Sequence, residues 1–149
     1  ATMTDQPMSC PSSDPSAQDA RVFAVIGGTA EEPRASFLAK GVEVPAELLA
    51  TPEGIAPKRI FRFTGKCENG ACGQFANGNC QLGKTVSRML ADVTDTPPAC
   101  TIRGDCRWYA ENGPAICRKC PQVVTSVQPG EADMHRVLHE VRSAVSAAR

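Results

Sequence analysis

The chain has 149 residues, a formal net charge of zero, 42% hydrophobic residues and eight cysteines. Seven of those cysteines lie between Cys67 and Cys120, within 54 residues, a density that an ordinary hydrophobic domain does not need. The longest uncharged apolar stretch, Val22 to Ala30, has nine residues against the ~20 that cross a bilayer as a helix, so no membrane span is expected.

Residues 1–20 combine Pro, Ser, Asp and Gln with no aromatic and no β-branched apolar residue, and are expected to form a flexible tail. Residues 21–149 are expected to form a single domain. Val22-Phe23-Ala24-Val25-Ile26 followed by Gly27-Gly28 has the pattern of a buried strand ending in a tight turn. Neither a lysine nor a third glycine stands at the spacing a phosphate loop needs. From Glu31 to Lys58, prolines at 33, 45, 52 and 57 interrupt the chain, which predicts an irregular wrap with a short helix around Ala46–Ala50. Ile60-Phe61-Arg62-Phe63-Thr64 alternates as a second strand, with Phe61 and Phe63 on one face and Arg62 on the other.

Between Cys80 and Val93 the residues Leu82, Val86, Met89, Leu90 and Val93 fall at helical spacing, with Asn79 as N-cap and Cys80 in the first turn. Pro97-Pro98 breaks the chain before a second loop-rich cysteine segment, and Gln122–Val127 reads as a third short strand ended by Pro129-Gly130. Over residues 131–148, Met134, Val137, Leu138, Val141 and Val145 form one stripe of an amphipathic C-terminal helix. The expected fold class is α+β: a small sheet of about three short strands, two amphipathic helices and a loop-rich cysteine region within residues 58–120.

The cysteine spacings are Cys67-x4-Cys72-x7-Cys80, then, after nineteen residues, Cys100-x5-Cys106-x10-Cys117-x2-Cys120. Short loops bearing several cysteines aim their sulfurs at one centre, which a metal ion or an iron–sulfur cluster requires. Asn69, Gly70, Gly73, Asn77 and Gly78 tolerate left-handed backbone and close approach to such a centre. Charge agrees with this reading: residues 58–120 hold ten bases against five acids, whereas residues 1–57 hold eight acids against three bases. Positive surroundings favour thiolate over thiol. Trp108 and Tyr109 would shelter a cluster from water, and Arg103 and Arg107 would offset its negative charge.

Cys117-Arg118-Lys119-Cys120-Pro121 resembles the last part of a bacterial ferredoxin ligand run, in which the closing cysteine is followed by proline. The match covers five residues, and the earlier closely spaced cysteines of that pattern are absent. The resemblance therefore implies cluster ligation and not the ferredoxin fold.

The expected ligands of one or two 4Fe-4S clusters are Cys67, Cys72, Cys80, Cys100, Cys106, Cys117 and Cys120. The second set alone supplies four thiolates; the first supplies three, which leaves one iron open to water, substrate or another ligand. Cys10 reads as a bystander in the tail, with Cys10-Pro11 as the alternative source of an eighth thiolate. Zinc is the alternative metal, since Cys117-x2-Cys120-x14-His135-x3-His139 meets a Cys2His2 spacing. Both histidines, however, fall away from the buried stripe, and five central cysteines are left unexplained. Eight cysteines also suffice for four disulfides.

No G-x-S-x-G or phosphate loop is present, and residues 1–20 lack the basic start, long apolar middle and small-residue end of a secretory signal, as would a mature chain that had already lost one. The leading expectation is a small cytoplasmic iron–sulfur protein, an electron carrier or accessory subunit of a redox system. Its basic region would dock a protein redox partner or a larger enzyme complex. The alternatives are a zinc-stabilised interaction module for protein or nucleic acid, and an enzyme subunit with an open-iron site. Nucleic acid is disfavoured because no aromatic-interleaved RNA motif is present.

Overall fold

The computed structural model of the chain describes residues 8–17, 19–29, 31–44, 46–50, 55–126 and 131–148. Among these, β1 (Ser9–Ser13), β2 (Arg21–Gly28), β3 (Pro33–Glu43) and β4 (Phe61–Lys66) form one antiparallel sheet in the order β1-β4-β2-β3. The apolar run of β2 sits inside the sheet, where Val22, Phe23 and Ala24 are all buried. Three consecutive buried side chains break the usual alternation, and the register of both β2 ladders shifts between Val22 and Ala24 to accommodate them. The β2–β3 turn depends on Gly28, whose φ of +79° suits glycine and whose missing Cβ would meet the Glu32 carbonyl oxygen.

Three α-helices pack beside the sheet: α2 (Gln81–Met89), α3 (Arg107–Asn112) and α4 (Ala132–Ala148), while the short α1 (Ala46–Leu49) lies in the expected place. Leu82 and Val86 of α2 meet the α4 stripe of Met134, Val137, Val141 and Val145, all buried. Each such side chain contributes roughly 1.5–3 kcal/mol of apolar burial. An ion pair of 2.5 Å between Arg59 and Glu131, with side chains 11% and 6% exposed, ties the turn before β4 to the start of α4. A two-stranded ribbon, β5 (Phe75–Ala76) with β6 (Asn79–Cys80), leads directly into α2.

The α+β class stands, but the main sheet has four strands where about three are expected, α3 occupies part of the expected loop-rich cysteine region, and three further details differ. Ser9–Ser13 is a paired strand and not tail, because backbone ladder bonds to β4 need no large side chain, and the buried Pro11 occupies an edge strand, where its missing N–H costs nothing. Residues 1–7 lie outside the described residues. The supposed wrap after Glu31 is the eleven-residue β3: Pro33 is only its first residue, and the strand lies at the other edge. Pro45 and Pro52 lie outside the described residues. Lastly, Gln122–Val127 pairs with no strand among its described residues. Val123 and Val124 are buried, but the Val123 amide closes a 3-10 turn onto the Cys120 carbonyl. Val127 and Pro129-Gly130 lie outside the described residues.

Candidate metal centre

All eight cysteines are free thiols, with no disulfide among them. They divide into two sets of four, each lining its own cavity. Cys100, Cys106, Cys117 and Cys120 surround a narrow one of about 20 Å3. Cys67, Cys72 and Cys80 line a larger one of about 420 Å3, and Cys10 lines it with them. The antiparallel ladder explains the fourth member: Cys10 of β1 sits opposite Gly65 of β4, and the Cys67 amide donates to the Met8 carbonyl at 2.8 Å. Cys10, expected in a tail, thus stands as a fourth thiol beside the cavity of the first set. Sequence separation concealed this, because 56 positions lie between Cys10 and Cys67; the only signal was the Cys10-Pro11 dipeptide.

Every sulfur of the first set accepts a backbone N–H. The donors are Ser12 to Cys10, Asn69 to Cys67 and Gln74 to Cys72, each at 3.4 Å, and Gly83 to Cys80 at 3.5 Å. A neutral thiol is a weak acceptor, whereas a thiolate gains most from such donors. Local backbone produces the geometry. Asn69 adopts a left-handed φ of 52° in the loop between Cys67 and Cys72, and Asn77 and Gly78, at 55° and 79°, make the turn between β5 and β6 that leads to Cys80. Cys80, expected inside the first turn of α2, is its N-cap, and its Sγ takes the role an Asp or Ser oxygen has elsewhere.

In the second set, amides likewise favour the thiolates: Ile102 acts on Cys100, and Tyr109 and Trp108 act on Cys106. Burial nevertheless dominates in the metal-free chain. It pushes the Cys106 thiol up to about 12 and the Cys80 thiol up to about 11, and raises those of Cys10 and Cys100. These groups are therefore neutral thiols near pH 7, and a bound metal centre must displace their protons.

Three arginines face the sulfurs. Arg62, on β4, donates to Cys120 Sγ at 3.2 Å. Arg103 is penalised by burial but favoured by the thiols of Cys117 and Cys100; Arg107 is penalised by burial but favoured by Glu111 and Cys67. The sequence reading placed Arg103 and Arg107 at one cluster, whereas the fold sends Arg103 to the second set and Arg107 to the first. It also placed Arg62 on the face opposite Phe63. That face is covered, leaving the Arg62 side chain buried against the cysteine segments.

Trp108 lines both cavities and is 1% exposed. Its indole N–H lies close enough to Cys80 to favour that thiolate, yet closes no hydrogen bond of normal geometry. A buried N–H without an acceptor costs about 1–3 kcal/mol. An inorganic sulfide or a thiolate beside the ring would supply the acceptor.

His135 and His139 are exposed on α4 and line neither cavity, so the Cys2His2 combination is not assembled. Among the described residues no three Cys, His, Asp or Glu side chains close on a single ion-sized point. A mononuclear zinc site needs sulfurs at ~2.3 Å from one ion. Compared with protein-family models, curated proteins and solved structures, the chain matches none. Among the described residues no helix is long and apolar enough to cross a membrane.

Proposed function

We propose that the chain is an iron–sulfur protein holding two 4Fe-4S clusters, one on Cys10, Cys67, Cys72 and Cys80, the other on Cys100, Cys106, Cys117 and Cys120. It serves as an electron carrier or as the electron-transfer subunit of a larger redox assembly. The observation that carries this reading is the division of eight free thiols into two sets of four around separate cavities, with N–H donors at their sulfurs. Hydrogen bonds to the sulfurs raise the reduction potential of such clusters, as do nearby cations. Four thiolates per cluster leave no iron for a substrate, which favours electron transfer over chemistry at an open metal site.

Much of the basic charge of residues 58–120 is matched internally, by pairs such as Lys58–Asp14, Arg88–Glu140, Arg118–Asp92 and Lys119–Asp92. That argues against nucleic acid, which needs unpaired cations for its phosphates. Lys66, at the mouth of the larger cavity, has no carboxylate at ion-pair distance among the described residues, so an acidic redox partner is expected to approach on that side.

The test is anaerobic purification followed by iron, sulfide and zinc analysis and a visible spectrum. The reading requires about eight irons and eight sulfides per chain, with broad thiolate-to-iron absorbance. A colourless zinc-loaded protein, or a metal-free chain lighter by eight hydrogens, would overturn it.

A further inference from the structure

Arg62 is the second residue of β4, with 5% of its surface exposed, and among the described residues no carboxylate stands within ion-pair distance of it. Its Nε and Nη2 donate to the Pro11 carbonyl at 3.3 and 2.8 Å, and its Nη1 donates to the Cys120 carbonyl at 2.7 Å. Nη2 also reaches Cys120 Sγ at 3.2 Å. The guanidinium carbon lies 5.3 Å from the Phe23 ring centre and 5.9 Å from that of Trp108. One buried cation thus clamps two Cys-Pro steps, Cys10-Pro11 from the first set and Cys120-Pro121 from the second. Pro11 and Trp108, against which it rests, are also the two residues that line both cavities.

A buried guanidinium with only carbonyl, ring and thiol partners lacks its counter-charge, and such an arrangement is costly unless an anion is near. A cluster with four thiolate ligands carries net negative charge. On the iron–sulfur reading above, on which this inference rests, the absent counter-charge is the two clusters themselves. We propose that Arg62 is a positioning residue shared by both sites, whose single positive charge raises the reduction potential of each. Two such sites, whose cavities share Pro11 and Trp108 as lining residues, also repel one another directly, so adding one electron to either, with no bond made or broken, lowers the potential of the other.

The experiment is a potentiometric titration of the anaerobically purified protein with dithionite as the one-electron reductant, followed by visible absorbance and by electron paramagnetic resonance. Wild-type protein without iron and sulfide would sink the iron–sulfur reading itself. With clusters present, Arg62→Gln is expected to lower both midpoint potentials. The control Lys66→Gln, at the first cavity alone, is expected to lower only one. Arg62→Gln that moves one potential or neither overturns the proposal. If this variant keeps its circular dichroism but loses iron, loss from both sites supports sharing and loss from one site overturns it. A second measurement leaves Arg62 in place. Cys67→Ser with Cys72→Ser empties the first site, and the remaining potential is expected to rise as a negative neighbour disappears. An unchanged potential there overturns the placing of two charged sites side by side about Arg62, and with it the sharing, even where Arg62→Gln fails to fold.

Discussion

Gly83→Ala tests the packing that separates the two cysteine sets. Gly83 is in the first turn of α2, without positive φ, and in an exposed helix the change to alanine would stabilise by up to ~1 kcal/mol. Here the new Cβ would stand 2.6 Å from Trp108 Cδ1 and 2.9 Å from its Cγ and Nε1. Overpacking a core costs about 1–3 kcal/mol, and a rigid, fully buried ring belongs in the upper half of that range. The net expectation is destabilisation by about 1–2 kcal/mol, or roughly 2–8 °C in Tm for a chain of this size. The ring can yield only toward the cavities it lines, so relaxation would also disturb both sites. Trp108 is the sole tryptophan, so its emission reports the displacement without interference. The assay is thermal unfolding with tryptophan emission and iron content, against Gly104→Ala, where a Cβ meets nothing within 4 Å. A Gly83→Ala protein with wild-type stability, emission and iron would refute the claim that this contact holds the indole in place.

Three further outcomes are expected. Cys10→Ala and Cys72→Ala should each reduce iron from about eight to about four per chain; full iron in the Cys10 variant would make that residue a bystander. Arg59→Met, which takes the cation from the buried Glu131 carboxylate, should cost about 3–5 kcal/mol in urea unfolding, whereas Arg136→Met, in an exposed pair with Asp133, should cost under ~1 kcal/mol. Replacing His135 and His139 together by glutamine should leave metal content unchanged, since both are exposed on α4 and line neither cysteine cavity; loss of metal on analysis would revive the zinc reading.

What the sequence determined was local. Helical spacing of Leu82, Val86 and Met89, and of Met134, Val137, Val141 and Val145, defined α2 and α4, because burying a stripe against one neighbour imposes that period on a helix. The β2 apolar run and the crowding of seven cysteines into short loops were equally legible. Tertiary structure decided what depends on distant segments meeting. β1 and β3 carry weak apolar patterns and a proline each, and they are strands because β4 and β2 offer free edges to pair with. Hydrogen bonding along a ladder is a backbone property, so side-chain periodicity did not announce it. The same pairing delivered Cys10 to Cys67, Cys72 and Cys80. Arg62, placed by strand alternation on the face opposite Phe61 and Phe63, is a buried cation between the two sets because the cysteine segments cover that face.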